Sequence, residues 1–525
     1  MDEATQKLLR ALPSVEELVS GADAAPLLAL HPRAQVVEAV RTAVESARQA
    51  IMVAGGAAPG AGYAAAARPP DVTPAALVVS AAALLDAWVQ PGLRPVANLT
   101  GIIIHTNLGR SALAESAVDR VVGVARSYSN LEYDLESGNR GNREVHIEGL
   151  LTKLIGAEAA FAVNNNAGAV LLLLMALAGG REVIVSRGQL VEIGGSFRLP
   201  DIIRAGGARL VEVGTTNRTR LEDYEAAIGP DTAMLLRVHT SNYRIVGFAE
   251  EAQLEDLVEL GHRRGLLVGD DLGSGALQEL PVFHGEPSVA ASLKAGADVV
   301  CFSGDKLMGG PQAGILAGKA EVIDRLRKHP AARALRLDKM TLAALEATLE
   351  LYKDPERARR EIPTLCFLTR TGEQTAALAA SLQAAIEAHA ADGFILEVET
   401  TIARAGGGSM PLTELPSHAV RIRFPETPVS GDVLGGTARP AGTAGRPEWS
   451  TATDGIDVRA VTPTVSALDA ELRRAPLPIV ARVAQDSLHL DVIALDERDV
   501  PRVAESVIWA IERVIRDTSA AQEAT

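Results

Sequence analysis

Between residues 96 and 345, short apolar or β-branched runs alternate with stretches whose apolar residues recur at helical spacing. The runs GIIIH, AAFAV, EVIVS, ARLVEV, AMLLRV, GLLVGD and ADVVCFS supply seven strand candidates. Their loops repeatedly end in polar residues. This alternation is the pattern of βαβ units on a mostly parallel sheet covered by helices, so residues 96–345 are expected to form a large α/β domain.

The flanks have a different texture. Residues 1–95 read as helices broken by loops, with a helix start at Pro13-Ser14 before Glu16-Glu17. Apolar residues at helical spacing over 34–50 leave Arg41 and Arg48 outside. The stretch AGGAAPGAGYAAAARPPDVTP, 54–74, is a low-complexity insertion. Beyond 345, LAALEATLELY leads into a further helical stretch and short strand-like pieces, the expected smaller α+β domain over 346–525. A segment rich in Gly, Pro and Thr, 425–457, interrupts it and is expected to be a mobile insertion. The final amphipathic stretch, ERDVPRVAESVIWAIERVI, belongs in that domain's core.

Composition narrows the function classes. With 525 residues and 47% hydrophobic residues, the chain has ample apolar side chains for packed cores. The formal net charge of −15 and an aromatic content of 3% exclude a protein coated in positive charge or one relying on widespread base stacking. The charge is unevenly spread: residues 1–95 carry nine acidic and seven basic side chains, a nearly neutral balance. Two cysteines, Cys301 and Cys366, suit a reducing cytoplasm and cannot build a disulfide scaffold or a Cys-rich zinc site. The charged N-terminus MDEATQKLLR lacks the apolar core of a signal peptide. The most apolar run, GAVLLLLMALAGG, has 13 residues, short of the roughly 20 that span a bilayer, and reads as a buried helix.

Three pieces carry chemistry. In ADVVCFSGDKLMGGPQAG, 297–314, a buried strand delivers Lys306 into a glycine-rich turn. A Schiff-base lysine needs such partial burial to hold a neutral amine, and the glycines let a planar cofactor approach. In GLLVGDDLGSG, 265–275, a strand ends in Asp270-Asp271. An acid there can pair with the pyridinium nitrogen of pyridoxal phosphate and keep the ring an electron sink. In AAFAVNNNAGAV, a strand runs into Asn164-Asn165-Asn166-Ala167-Gly168 and then a helix, whose N–H groups and dipole suit a phosphate. The order phosphate turn, acid, lysine is that of fold-type I pyridoxal-phosphate enzymes. Arg110 closes NLTGIIIHTNLGR, while Arg333 and Arg336 share one face if HPAARALRLDKM is helical; such arginines suit a polyanionic co-substrate. The loop ESGNRGNREVH, 136–146, is dense in Arg, Asn and Gly and could enter an active site or a subunit interface. His105, His239 and His262 are isolated and no metal is assigned to them.

These residues resemble the bacterial selenocysteine synthases, the L-seryl-tRNA(Sec) selenium transferases. The segments that carry the resemblance are LPSVEEL, NLTGIIIHTNLGR, YSNLEYDLESGNRGNRE, SRGQLVEIGGSFRLPDI, VGTTNRT, HTSNYRIVGF, DDLGSG, FSGDKLMGGPQAG and GGGSMP. They run from about residue 10 to 420, and the insertions at 54–74 and 425–457 are the departures. The resemblance implies a fold-type I large domain between a helical tRNA-binding N-terminal domain and a smaller α+β domain. It implies that Lys306 carries pyridoxal 5′-phosphate, that Asp270 meets the pyridine nitrogen, and that Asn165, Asn166, Ala167 and Ser303 bind the cofactor. Arg110, Arg333 and Arg336 fall on arginines that receive the selenium donor, selenophosphate. The implied reaction runs from seryl-tRNA(Sec) through a cofactor aldimine, loss of water to an aminoacrylyl intermediate, and selenium addition. The implied assembly is a cytoplasmic homodecamer, with no membrane and no metal. The alternatives are a fold-type I lyase acting on a small amino acid or aminosugar acid, and a catalytically silent RNA-binding paralogue; residues 1–95 weigh against the first, and the intact Lys306 and Asp270 against the second.

Overall fold

A computed structural model describes residues 3–54, 70–89, 91–193, 197–390, 393–425 and 464–523. Both low-complexity insertions, 54–74 and 425–457, therefore lie mostly outside the described residues. The chain divides into two units, Met1–Pro95 and Val96–Thr525.

The first unit is helical: Glu3–Ala11, Val15–Ser20, Ala25–Leu30, Arg33–Ala54 and Pro74–Val89. Ser14 starts the second helix as a reciprocal capping box. The Glu17 N–H donates to Ser14 Oγ (3.2 Å) and the Ser14 N–H donates to Glu17 Oε2 (2.8 Å). Val36, Val40 and Val44 from the long helix pack with Leu18, Leu77 and Leu85 in a core of its own. Arg41 and Arg48 stay at the surface, paired with Glu38 and Glu45.

Among its described residues the second unit holds fifteen strands in chain order. These are β1 (Ala97–Leu99), β2 (Ile102–Ile104), β3 (Ala159–Val163), β4 (Glu182–Ser186) and β5 (Glu192–Ile193). Next come β6 (Phe197–Arg198), β7 (Arg209–Val213), β8 (Thr232–Val238), β9 (Leu267–Gly273) and β10 (Val299–Ser303). The last are β11 (Gly314–Gly318), β12 (Ile395–Gly406), β13 (Leu415–Arg423), β14 (Ile479–Ala484) and β15 (Ser487–Asp491).

A seven-stranded sheet runs β3-β11-β10-β9-β8-β4-β7, and a two-stranded piece pairs β5 with β6. All neighbours in the large sheet are parallel except at β11, which is antiparallel to both β10 and β3. Apart from the edge strand β7, its strands are buried on both faces, as expected for a sheet covered by helices; the helix Asn166–Ala178 fills one side with Val170, Leu172, Leu173, Leu174 and Leu177. Six of the seven runs singled out in the sequence lie in this sheet. The seventh, GIIIH, does not: β1 and β2 join a second, six-stranded sheet ordered β1-β14-β15-β13-β12-β2. The place of GIIIH is taken by β11, GILAG, whose glycines disguise it as part of a loop. A large domain drawn over 96–345 thus gives up its first two strands to the C-terminal sheet, whose core includes the helix Val500–Glu523.

Glycine at the start of β11 is a packing requirement. A Cβ on Gly314 would sit 2.1 Å from the Asn165 carbonyl oxygen, so the turn after β3 and the strand lie in direct backbone contact. Gly314→Ala is expected to lower the unfolding free energy of the second unit by about 1–3 kcal/mol through overpacking. Urea denaturation followed by far-ultraviolet circular dichroism measures this; an unchanged midpoint and slope would refute it.

Candidate active site

Lys306 stands three residues past the end of β10, in a turn held from several sides. The Gly309 N–H donates to the Lys306 carbonyl (2.9 Å), the Leu307 N–H to Ser274 O (3.1 Å), and Gly310 N–H to Gly304 O (2.8 Å). The Ser111 hydroxyl reaches the Asp305 carbonyl (2.9 Å), and Tyr352 O–H reaches that of Met308 (2.8 Å). The lysine is 5% exposed. Cβ atoms built on Gly273 or Gly408 would each lie 4.0 Å from Nζ, and both glycines adopt positive φ, so the backbone itself walls the amine. Burial lowers the Lys306 pKa, helped by the Arg110 guanidinium; Asp271, Asp305 and Glu286 pull the other way. A buried amine shifted toward its neutral form is a nucleophile for a carbonyl.

Asp270 and Asp271 take opposite directions, as adjacent residues in a strand must. Asp271, 5% exposed, faces the lysine: Asn166 Nδ2 donates to its Oδ1 (2.8 Å), and the Lys306 charge stabilises its carboxylate. Asp270 is fully buried on the other face, where Arg237 Nη1 lies 3.3 Å away and Ser292 hydrogen-bonds it. The expectation that Asp270 meets the cofactor is therefore corrected: Asp270 belongs to a structural ion pair, and Asp271 is the acid that shares the chamber with Lys306. Burial raises the pKa of both carboxyls. Cys301, opposite Asp271 in the register of β10 and β9, is 1% exposed and hydrogen-bonds Asp271; burial pushes its thiol well up, so it stays protonated.

The turn after β3 supplies the helix start. Asn165 caps the helix Asn166–Ala178, its Oδ1 accepting the Gly168 N–H (2.8 Å), so this side-chain oxygen is engaged. The N–H groups of Asn166 and Ala167 belong to the first helical turn, which has no intrahelical acceptors. Asn166 links this turn to Asp271. Ser303 is buried at the end of β10, paired with Gly314.

The three arginines fall in two places. Arg110 stands beside the lysine with its guanidinium on Asp305 (2.7 Å) and its backbone in the left-handed region (φ +64°). Arg333 and Arg336 line a small cavity of ≈ 160 Å³ with Arg143, Arg327 and Glu132. The helical spacing expected for this pair is not what joins them: the helix Pro330–Ala334 ends before Arg336, which forms an isolated bridge with Val163. Arg143, from the loop dense in Arg, Asn and Gly, donates through Nε to Glu132 (3.0 Å), and Arg336 lies 3.6 Å from the same carboxylate.

Sequence reasoning missed Asp271, Glu286 and His239. Adjacent acids in a strand announced that one side chain would face the site without saying which. His239 and Glu286 carried no local signal, because their neighbours come from distant segments.

Buried polar atoms here lack partners: Asn166 Oδ1 and both ring nitrogens of His239 make no hydrogen bond. Their unused capacity, a buried lysine and a facing acid fit pyridoxal phosphate, which presents an aldehyde, a ring nitrogen and several oxygens. Among the described residues no cluster of His, Cys, Asp or Glu could hold a metal ion. This fold and this site define a fold-type I pyridoxal-phosphate enzyme. A solved D-glucosaminate-6-phosphate ammonia-lyase shares the fold at TM-score 0.52 and 19% identity, over 81% of this chain and 97% of that one.

The chain belongs to the L-seryl-tRNA selenium transferase family, whose model matches residues 96–439; a second model, selenocysteine synthase N terminal, matches 9–48. Three curated L-seryl-tRNA(Sec) selenium transferases illustrate the likeness. That of Moorella thermoacetica is 48% identical over 81% of this chain and 83% of its own. The protein of Solidesulfovibrio magneticus is 43% identical over 97% and 99%. That of Desulfomicrobium baculatum is 55% identical over 66% and 75%.

A lowered amine pKa predicts selective labelling. Treated with a small aldehyde and cyanoborohydride near neutral pH, Lys306 should be modified ahead of the exposed lysines, and Arg110→Met should move that preference to higher pH. Peptide mass mapping reads the result; modification of Lys306 last of all would contradict it.

Proposed function

We infer that the chain converts L-seryl-tRNA(Sec) to L-selenocysteyl-tRNA(Sec) as a pyridoxal-phosphate-dependent selenium transferase. One observation carries this reading: the family match over 96–439 spans the elements that surround Lys306. The match at 9–48 favours a charged tRNA over a small amino acid as substrate, since it adds a helical unit to the chain.

When bound, the cofactor supplies an electron sink for the carbanion formed at Cα of the seryl group. Lys306 Nζ would hold it covalently and, once free, would take the Cα proton and later return it. Asp271 would keep a proton on its ring nitrogen. The N–H groups at Asn165, Asn166 and Ala167, with Ser303, would hold its phosphate at the helix start. Arg110, beside Lys306, would receive the selenophosphate anion, and Arg333 and Arg336, which line a separate small cavity, would offer further bidentate forks for that donor.

In this reading the unit over 1–95 binds the tRNA, 96–345 holds the cofactor-binding sheet, and 346–525 forms the smaller domain, whose sheet also takes β1 and β2. By resemblance the protein is a cytoplasmic homodecamer; no described helix is long and apolar enough to cross a membrane.

The test is incubation with seryl-tRNA(Sec) and selenophosphate, with free serine as control. Selenocysteyl-tRNA should form, and consumption of free serine without conversion of the charged tRNA would refute the reading. Lys306→Ala should abolish turnover and the visible absorbance of bound cofactor. Asp271→Asn should cut kcat by about 100-fold. Asp270→Asn should act chiefly on thermal stability, because it strands Arg237. Equal loss of kcat in the two aspartate variants would undo the assignment of Asp271.

A further inference from the structure

Two buried polar side chains, Glu286 and His239, share the Lys306 chamber and take no part in the proton transfers described above. Glu286 comes from the loop after Pro281–Phe283, with its side chain 1% exposed. Its Oε1 accepts the Met410 N–H, in the segment that follows Gly408; its Oε2 takes a hydrogen bond from Ser274 Oγ (3.4 Å). Ser274 in turn receives the Leu307 N–H, beside Lys306 (3.1 Å). The carboxyl is therefore fixed between two backbone segments that wall the amine. His239, 8% exposed, anchors its own N–H on the Asp271 carbonyl (2.8 Å) and brings Nδ1 to 3.8 Å from Glu286 Oε2. Neither ring nitrogen has a partner. An unpartnered imidazole so deeply buried calls for an occupant that hydrogen-bonds it.

The proposed reaction poses a problem that the residues assigned so far leave open. Hydroxide is a poor leaving group, so the seryl oxygen departs only if protonated, and Lys306 is occupied with the Cα proton. Asp271 would be engaged at the ring nitrogen, and Asp305 is paired with Arg110. We propose that Glu286 is the acid that protonates the departing seryl hydroxyl, with His239 as the residue that positions it. The inference rests on the function proposed above.

Burial and the approach of Arg244, Arg237 and Lys306 lower the His239 pKa to about 4, so the ring is neutral near pH 7 and cannot be the acid itself. Burial raises the Glu286 pKa, against the opposing effects of Met410, Arg244, Ser274 and Lys306. The balance is complete. The Cα proton passes to Lys306 Nζ, and the Cα–H electron pair becomes the second Cα–Cβ bond. The Cβ–O bond breaks toward oxygen, which takes the Glu286 proton and leaves as water. In the second half, selenophosphate, protonated once on selenium, bonds to Cβ through selenium and passes that proton to Glu286, while Lys306 reprotonates Cα; water then cleaves the Se–P bond, leaving the selenol on Cβ and releasing phosphate.

Glu286→Gln is isosteric and keeps an acceptor for Met410. It should bind cofactor with unchanged visible absorbance and lose at least about 100-fold in conversion of seryl-tRNA(Sec). Chloride release from the same tRNA charged with β-chloroalanine should continue close to the wild-type rate, because chloride leaves unprotonated. Glu286→Asp, which retains a carboxyl, should recover part of the seryl activity. Wild-type seryl activity in Glu286→Gln, or equal loss with both leaving groups, would overturn the proposal. So would Glu286→Asp faring no better than Glu286→Gln if the latter fails to load cofactor. An unaltered protein inactive on seryl-tRNA(Sec) would instead remove the functional reading itself, and this inference with it.

Discussion

Holding an amine in a nearly dry chamber is the constraint on which the rest of the site depends. Desolvation alone drives a buried lysine toward its neutral form. Here Arg110 works in the same direction, while Asp271, Asp305 and Glu286 oppose it. Such a balance needs every charged neighbour at a fixed position, and the fold meets that need by bringing them from separate elements. Asp271 rides on β9, Arg110 on the turn after β2, Glu286 on a loop beyond β9, and Gly408 on the segment after β12. The turn bearing Lys306 is tied by backbone bonds to Ser274 and by side chains of Ser111 and Tyr352. The amine is rigidly placed because its surroundings are shared between both sheets.

The second sheet is part of this logic. β1 and β2 leave the large domain's sequence and pair with the C-terminal strands, so the chain crosses from one sheet to the other just before Arg110. The same sheet delivers, from the end of β12, the glycine turn that approaches Nζ. The candidate site therefore sits where two sheets of one compact unit contribute backbone to one chamber.

Much of this was legible in the sequence. The alternation of apolar runs gave the parallel sheet, and the glycine-flanked lysine gave the reactive amine, because both signals are local and periodic. What escaped was non-local. GILAG was hidden because glycines carry no hydrophobic signal, although backbone contact with Asn165 demands them. The DD pair left its facing ambiguous, since strand parity separates two neighbours without saying which side is inward. Arg333 and Arg336 do share a cavity, but through a bridge to β3 that no helical spacing could reveal. His239 and Glu286 meet across 47 positions of sequence, and only the fold puts them 3.8 Å apart. The net charge of −15 excludes a protein coated in positive charge but not an RNA substrate, since the helical N-terminal unit is nearly neutral.

The central claim is the pairing of Lys306 with Asp271 around one cofactor. A crystal structure of the protein loaded with pyridoxal phosphate and reduced with borohydride tests it most directly. The expected result is a covalent bond from Lys306 Nζ to the reduced cofactor, with its ring nitrogen within hydrogen-bond distance of Asp271 and Asp270 still on Arg237. A cofactor attached to another lysine, or a ring nitrogen meeting Asp270, would contradict it.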